Sequence, residues 1–476
     1  MTTGIPSRWS SSTVGEVATL VRGVTFKKHE TSRQPDIGLV PILRAGNVQD
    51  GRIRVDKDLI YVPAERVAPE QYLRSGDTLI ATSSGSLSVV GKSALVTSDW
   101  TGAHGAFMAI LRPHPDIQPA YLSYWLQSDY VRRLWRGAAA GTNINNLKKN
   151  DLLSTSVPVL PLAEQDRIVA AIEEHFSHLD AAANAARAAG VKAAASRQSI
   201  LVAALSGRLS TQNKEEEPAT MLLDRITGSS SHPEGSLSTE ERVSTSRWEL
   251  PPGWAWAQLQ DLTAPEPRAI TDGPFGSNLK TAHYTTTGPR VIRLQNIGDG
   301  EFKREDAHVS PEHFQSLAAH SVQPGDLIVA SLGEQLPRAC LVPPWVPPAI
   351  VKADCIRVRL HPEVNRSYVN LALQDPRLRR ETAADIKGVG RPRLGLRGIR
   401  QLTVPLAPRA EQDRIVDAIE EQFVRLDAVG SAVWAVMSKI EVMRRAVLAR
   451  AFTGRLVSQQ PEGESAVPQP NLVRLS

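Results

Sequence analysis

The strongest constraint on this chain is a stretch of sequence that occurs twice. Residues 164–180 read EQDRIVAAIEEHFSHLD and residues 411–427 read EQDRIVDAIEEQFVRLD, with 13 of 17 positions identical at an offset of 247 residues. The offset continues without a gap to Gly207-Arg208-Leu209 and Gly454-Arg455-Leu456. A repeat of this kind makes the chain a series of units, not one uniform domain. Each copy has the marks of a long helix. Pro158 and Pro161 pre-set the entry to the first copy, and Glu164 and Asp166 fall in a first turn, where the helix dipole favours carboxylates. Apolar or small residues recur at Ile172, Phe176, Leu179, Ala183, Ala186, Gly190, Ala193 and Ile200. The second copy gives Ile419, Phe423, Leu426, Val433, Met437, Ile440 and Val447 in the same register. That 4-3 alternation predicts a coiled-coil seam. Arg197 and Arg444 interrupt it at equivalent positions, which predicts imperfect packing there. Gly207 and Gly454 are natural stops, giving helices of about 44 residues, roughly 65 Å long.

The segments between the helices read as globular. At 476 residues the prior is about three domains. Residues 1–157 suggest a mixed domain, with strands around Asp77-Thr78-Leu79-Ile80-Ala81 and Ser93-Ala94-Leu95-Val96. A helix is expected over residues 119–136, and the polar run 141–146 reads as a loop. Residues 158–210 hold the first repeat helix, and 211–247 form a polar linker with one short helix around 221–226. Residues 248–404 form a second domain, 405–457 the second helix and 458–476 a flexible tail. The second domain echoes the first at a few anchors. Leu250-Pro251-Pro252-Gly253-Trp254 matches Ile5-Pro6-Ser7-Arg8-Trp9, and Arg293, Asn296, Asp299 and Gly300 match Arg44, Asn47, Asp50 and Gly51. Pro324-Gly325-Asp326-Leu327-Ile328 matches Ser75-Gly76-Asp77-Thr78-Leu79. The order is domain, helix, domain, helix, as a tandem duplication with diverged globular parts would give. If the seams pair, the second helix runs back antiparallel to the first. Two different heads are then held at a fixed separation with pseudo-twofold symmetry, an arrangement suited to a two-part linear target.

Composition narrows the class. Hydrophobic residues at 41% and charged residues at 22% are ordinary for a soluble protein, and the net charge of +5 weakly favours a polyanionic partner. Only Cys340 and Cys355 are present, in no metal-ligand spacing, which implies a reducing compartment. The N-terminus has no signal-peptide pattern, and no apolar run approaches the roughly 20 residues of a membrane span, so a cytoplasmic protein is expected. Three fragments resemble catalytic motifs. The glycine-rich run from Gly85 to Ser93 has one residue too many between its glycines to cradle a phosphate. Val342-Pro343-Pro344-Trp345 lacks the leading Asn or Asp of an amino-methyltransferase motif and reads as a turn. Glu301-Phe302-Lys303 has no partner carboxylate at strand spacing. No catalytic or metal-ligating residue is therefore nominated, and a stand-alone nuclease or methyltransferase is disfavoured.

The proline-rich entries with EQDRIV (161–169 and 405–416), the endings LSGRL and FTGRL, and the opening LPPGWAW of the second half carry a family resemblance. Together they resemble a specificity (S) subunit of a type I restriction-modification system, over nearly the full length. The resemblance implies an α+β fold: two mixed α/β target-recognition domains, each reading half of a bipartite site on double-stranded DNA, joined by two long antiparallel coiled-coil helices. The helices would act as a spacer and dock two methyltransferase subunits, with motor-nuclease subunits joining for restriction. The family's S subunit carries no catalysis and no cofactor of its own. S-adenosylmethionine, ATP and Mg2+ serve the partner subunits. The linker 212–246 is not itself repeated, so the twofold symmetry is approximate.

Side-chain type nominates the DNA contacts. In the first head these are Lys27, Lys28, Arg44, Asn47, Arg132, Arg133, Arg136, Thr142, Asn143, Asn145, Lys148 and Lys149. The second head offers Lys280, His283, Tyr284, Arg293, Gln295, Asn296, Lys387, Arg391, Arg393 and Arg397, with the run Arg377, Arg379 and Arg380. Arg, Asn and Gln make bidentate contacts to base edges, while Lys and clustered Arg more often hold phosphates. The equivalence of Arg44 and Arg293 fits a shared structural role as well as base reading. Glu164, Gln165, Arg167, Glu411, Gln412 and Arg414 are nominated as a partner-binding face, since capping alone does not require EQDRIV to be kept whole in both copies. A coiled-coil adaptor that binds only proteins is the rival reading.

Overall fold

The computed structural model describes residues 9–49, 51–56, 58–139, 145–228, 248–388 and 390–457. Thr142 and Asn143, most of the expected linker and the expected tail lie outside the described residues. The chain forms two compact units, Met1–Arg187 with Trp434–Ser476, and Ala188–Val433. The two helices are therefore not segments apart from the heads; each unit takes one head and one end of both helices.

In the first unit an antiparallel sheet runs in the order Ala18–Arg22, Met108–Pro113, Thr78–Ala81, Ser93–Leu95. Its central strands are apolar over Leu79–Ala81 and Met108–Leu111 because both faces are covered. Strand alternation sends Ile80 and Leu111 into one cluster with Tyr121, Leu122 and Trp125, and Leu79, Ala81 and Ile110 into another. A smaller sheet sets Leu39–Leu43 between Ile60–Pro63 and Ala103–His104. The helix expected over 119–136 is two helices, Pro119–Gln127 and Asp129–Ala139. Ser128 separates them with extended backbone (φ −60°, ψ 150°), and its hydroxyl takes the Val131 N–H at 3.4 Å. Asn145–Asn146, expected as loop, pairs as a short strand with Ser83–Ser84.

The second unit has a matching antiparallel sheet in the order Ile270–Thr271, Cys355–Val358, Leu327–Ala330, Arg338–Leu341. A second sheet orders His308–Val309, Tyr284–Ile292, Ala349–Val351 and Ser321–Val322. The helix Ala219–Thr227 covers the short one expected, but its surroundings differ from a linker. Ala219, Leu222 and Ile226 are buried in the head's own core, so this stretch belongs to the domain. Val342-Pro343-Pro344-Trp345 forms a turn, with the Val346 N–H on the Pro343 carbonyl at 3.2 Å. The glycine-rich run ends at strand Ser93–Leu95 and opens no helix, unlike a phosphate-binding loop. Cys340 and Cys355 are separate buried thiols.

Both heads share internal bonds at equivalent places. Arg112 donates from Nε and Nη2 to Asp77, both at 2.8 Å, and Arg359 does the same to Asp326, both at 2.9 Å. Tyr121 Oη donates to the Pro158 carbonyl at 3.0 Å, and Tyr368 Oη to that of Pro405 at 2.7 Å. Gly23 and Gly273 mark a close approach that only glycine permits, since a Cβ at either would lie 2.1 Å from neighbouring backbone.

The central helix is Leu162–Ala204 and the distal helix Arg409–Ala451, 43 residues each. Both end in the same motif. Gly207 and Gly454 hold φ of +67°, and Arg208 and Arg455 donate back to the carbonyls of Ala203 and Arg450 at 2.9 and 2.8 Å. Within each unit the two helix ends pack with opposed chain directions. In the first, Leu179 and Ala183 meet Ile440, and Ile168 and Ile172 share a cluster with Leu448 and Phe452. In the second, Leu201 and Ala204 lie in one core with Ile415 and Ile419. The seam arginines are not flaws. The Arg444 guanidinium lies 4.6 Å from the Phe176 ring centre and pairs with Asp180. Arg197 lies 3.6 Å from the Phe423 ring centre and pairs with Asp427 at 3.1 Å. Each arginine caps a seam phenylalanine of the opposite helix and is fixed by the aspartate four residues beyond it. Among the described residues no helix is long and apolar enough to cross a membrane.

Candidate nucleic-acid interface

Strand direction gives each head two unlike ends. In the first head Ala81 pairs with Met108 and Arg22 with Ala109, so the chain after Arg22, after Ala81 and before Met108 emerges at one end. The other end leads, after Pro113, into the helix Pro119–Gln127. In the second head Ala330 pairs with both Cys355 and Arg338, which likewise gathers residues 331–337 and 352–354 at one end. The basic loops nominated from sequence belong to these loop ends. Lys148, Lys149, Lys387, Arg391 and Arg393 are exposed there, with Lys27, Lys28 and Lys280 on exposed turns that follow the edge strands.

The described parts of the two nominated loops, 145–149 and 387–388 with 390–397, hold the same place in their heads. Leu147 N–H donates to the Thr82 carbonyl at 2.8 Å, and Leu394 N–H to that of Ser331 at 2.9 Å. Thr82 and Ser331 in turn donate to the carbonyls of Phe107 and Asp354, both at 2.9 Å. Asn145 Nδ2 reaches the Gly85 carbonyl at 3.3 Å, and Arg393 pairs with Asp354 at 2.6 Å. Arg397 is exposed on the helix Leu396–Arg400. Phe107 and Phe275, exposed by 66% and 52%, also lie at the loop ends. Sequence reasoning passed over both, because a lone phenylalanine is usually core and nothing in the local pattern marks these as exposed.

Other nominated residues do different work. Asn47 and Asn296 are buried, so neither amide can reach a base edge. Asn47 takes the Arg44 N–H at 2.8 Å and donates to the Arg54 carbonyl at 2.9 Å; Asn296 takes the Arg293 N–H at 2.9 Å and donates to that of Lys303 at 3.0 Å. Arg44 and Arg293 each tie a loop carbonyl, Asp58 at 2.7 Å and Asp306 at 3.3 Å, which favours the structural reading; Gln295 is exposed. Arg132 is half-buried on the Ser88 carbonyl at 3.2 Å, and burial together with Arg136 pushes its pKa down to about 10, still charged at neutral pH. Arg133 and Arg136 point outward from the same helix. Arg377 is scaffold: its guanidinium lies 3.9 Å from the Trp248 ring centre, pairs with Asp375 at 2.7 Å and donates to Ser206 at 2.8 Å. Arg379 pairs with Asp299, and Arg380 remains exposed. His283 packs against His313 with ring centres 4.3 Å apart and planes inclined by 50°, and Lys352 Nζ lies 5.4 Å from the Tyr284 ring centre.

The partner-binding face is revised more sharply. Gln165 and Gln412 have no exposed surface, so neither can meet a partner. Gln165 takes the Gln118 N–H at 2.9 Å and donates to the Leu160 carbonyl at 2.8 Å; Gln412 takes the Asn365 N–H and donates to the Ala407 carbonyl, both at 2.9 Å. Each clamps the start of a long helix to its own head. Glu411 is also buried, accepting from Trp254 Nε1 at 2.9 Å and Ser210 Oγ at 2.6 Å. Arg414 bonds Glu216 at 2.7 Å, while Glu164 and Arg167 are half-buried. The repeated EQDRIV thus has a reason inside the fold. A cleft of about 710 Å³, lined by Trp100, Tyr124, Glu173, Phe176, Asp180 and Arg444, opens at the helical end of the first head.

Residues 6–187 match the family model described as the type I restriction modification DNA specificity domain. The chain is 25% identical over 468 residues to the type I restriction enzyme EcoKI specificity subunit of Escherichia coli (strain K12), covering 96% of this chain and 90% of that protein. It is 26% identical over 463 residues to the StySPI specificity subunit of Salmonella potsdam, again covering 96% and 90%. A solved structure concerned with complex assembly and conformational transition of the type I R-M system superposes with a TM-score of 0.59 at 18% identity, over 95% of this chain and 99% of that one, a likeness of fold. The matched stretch spans the first head with its helix entry. Over 96% of its length the chain is similar to specificity subunits of type I restriction enzymes.

Proposed function

We propose that this chain selects the DNA sequence on which a type I restriction-modification complex acts, each head reading one half of a bipartite site in double-stranded DNA. The observation that carries this reading is the pair of loop ends: one frame of bonds, bearing different polar and basic side chains in the two heads. Different side chains on one frame suit the reading of different bases by one docking geometry. The long helices set the spacing between the heads and dock two methyltransferase subunits, with motor-nuclease subunits joining for restriction. This chain is non-catalytic. S-adenosylmethionine, ATP and Mg2+ are used by the partner subunits in the cytoplasm. A tandem duplication accounts for the shared internal bonds and the repeated helix.

The test is to co-express the chain with a type I methyltransferase subunit that co-purifies with it and to sequence the host DNA for modified bases. A bipartite motif with an unread gap, present only when both chains are present, is expected. A stable complex that leaves the DNA unmodified would move the chain to the protein-adaptor reading. Binding of the complex to the motif should weaken by about a thousandfold or more between low and physiological salt if several phosphates are held.

A further inference from the structure

We infer that one turn in each head sets a base position of its half-site, through Phe107 in the first head and through Arg393, held by Asp354, in the second. The inference rests on the DNA-reading function proposed above. Residues 105–108 and 352–355 form the same four-residue turn. Met108 N–H donates to the Gly105 carbonyl at 2.8 Å, and Cys355 N–H to that of Lys352 at 3.0 Å. The third residue of each turn, Phe107 or Asp354, gives its carbonyl to the strand end at Thr82 or Ser331. Those residues then accept from Leu147 and Leu394, the residues after Asn146 and Arg393. The backbone beneath the turn tip is thus fixed by the same bonds in both heads, while the side chains on it are not repeated.

Their chemistry differs as two readers would. Phe107 leaves two thirds of its surface in water on a turn tied by the Met108–Gly105 and Thr82–Phe107 bonds. Such a ring adds little to folding, and apolar contact with a thymine methyl or insertion at a base step is what it offers to DNA. Asn146 stands beside it, exposed. In the second head Asp354 takes the Ser331 hydroxyl at 3.2 Å and pairs with Arg393, at the position equivalent to Asn146. The Arg393 guanidinium also lies 5.9 Å from the ring centre of the exposed Phe275. A guanidinium restrained by a carboxylate and an aromatic ring loses less freedom on binding, and its planar fork fits guanine O6 and N7. Phe107 therefore contributes an apolar contact to the first half-site, and Arg393 reads a guanine in the second.

The experiment is modification mapping in cells that carry the methyltransferase subunit with the wild-type chain, Phe107→Ala, Phe107→Leu, Arg393→Ala or Asp354→Ala. Phe107→Ala should relax one position in one half of the motif, and Arg393→Ala one G·C position in the other half only. Each should lower discrimination there by about tenfold to a hundredfold. Asp354→Ala should keep the guanine preference but weaken it several-fold, and Phe107→Leu should keep part of the first preference. A wild-type motif left unaltered in both halves by Phe107→Ala and Arg393→Ala overturns the inference, as does a change of the same half by both. Absence of any motif with the wild-type chain overturns the DNA-reading function itself, a distinct result.

Discussion

His104 is fully buried in the first head, its Nε2 3.4 Å from the Val21 carbonyl. Burial pushes its pKa down to about 4, against the opposing pull of Asp77 and the agreeing one of Arg112. The unfolded chain binds a proton on this ring below about pH 6.5, and the folded chain does so only near pH 4. Stability is therefore complete above pH 6.5 and is lost as pH falls through that window. Between about pH 7 and about pH 5 the loss from this group is about 2 kcal/mol. Urea melts at the two pH values should differ by that amount more in the wild type than in His104→Gln; equal differences would remove the histidine as the cause. Single residues were also where sequence reasoning was weakest. Asn47, Asn296, Gln165 and Gln412 have the right chemistry for recognition, but their types are equally suited to pairing with backbone. Only the fold shows that Gln165 meets Gln118 and that Gln412 meets Asn365.

At the scale of the element, the long helices were the most legible part of the chain. Their seam repeats over many turns, and Gly207 and Gly454 stop both helices through a left-handed residue. What periodicity does not reveal is the partner of a residue that breaks it. Arg197 and Arg444 look like defects on one helix and become phenylalanine caps only when the other is present. The division of residues 119–136 at Ser128 escaped for a related reason, since one serine hardly disturbs an apolar pattern. The two arginine locks differ in exposure. Arg444 and Asp180 are 24% and 27% exposed, while Arg197 and Asp427 are 37% and 71% exposed. Solvent screens the second pair more, so Arg444→Ala should cost about 1–2 kcal/mol and Arg197→Ala under about 1 kcal/mol. Arg444→Met, which retains a packing stem over Phe176, should recover part of the loss. Melting temperatures of the three variants test this order, and a larger effect at Arg197 would reverse it.

At the scale of the whole chain, the repeated order of head and helix was readable from sequence because the repeat is long and in register. The loop ends were readable only as composition, since the heads diverge where they would meet DNA. If the helices act as a ruler, adding seven residues to each keeps the seam and lengthens them by about 10 Å. The unread gap of the motif should then grow by about three base pairs; modification that persists with an unchanged gap would end the ruler role. The first unit is also discontinuous in a way that bears on how it is made. Phe452 packs edge-on against Tyr121 and Trp125, with ring centres 5.4 and 5.0 Å away. During synthesis those two aromatics leave the ribosome long before Phe452 exists, by some tens of seconds at ordinary elongation rates. For that interval the first head has an uncovered apolar face. Birth order thus makes the earliest-made domain the last to be completed, and a message cut short before Phe452 leaves it an aggregation-prone fragment.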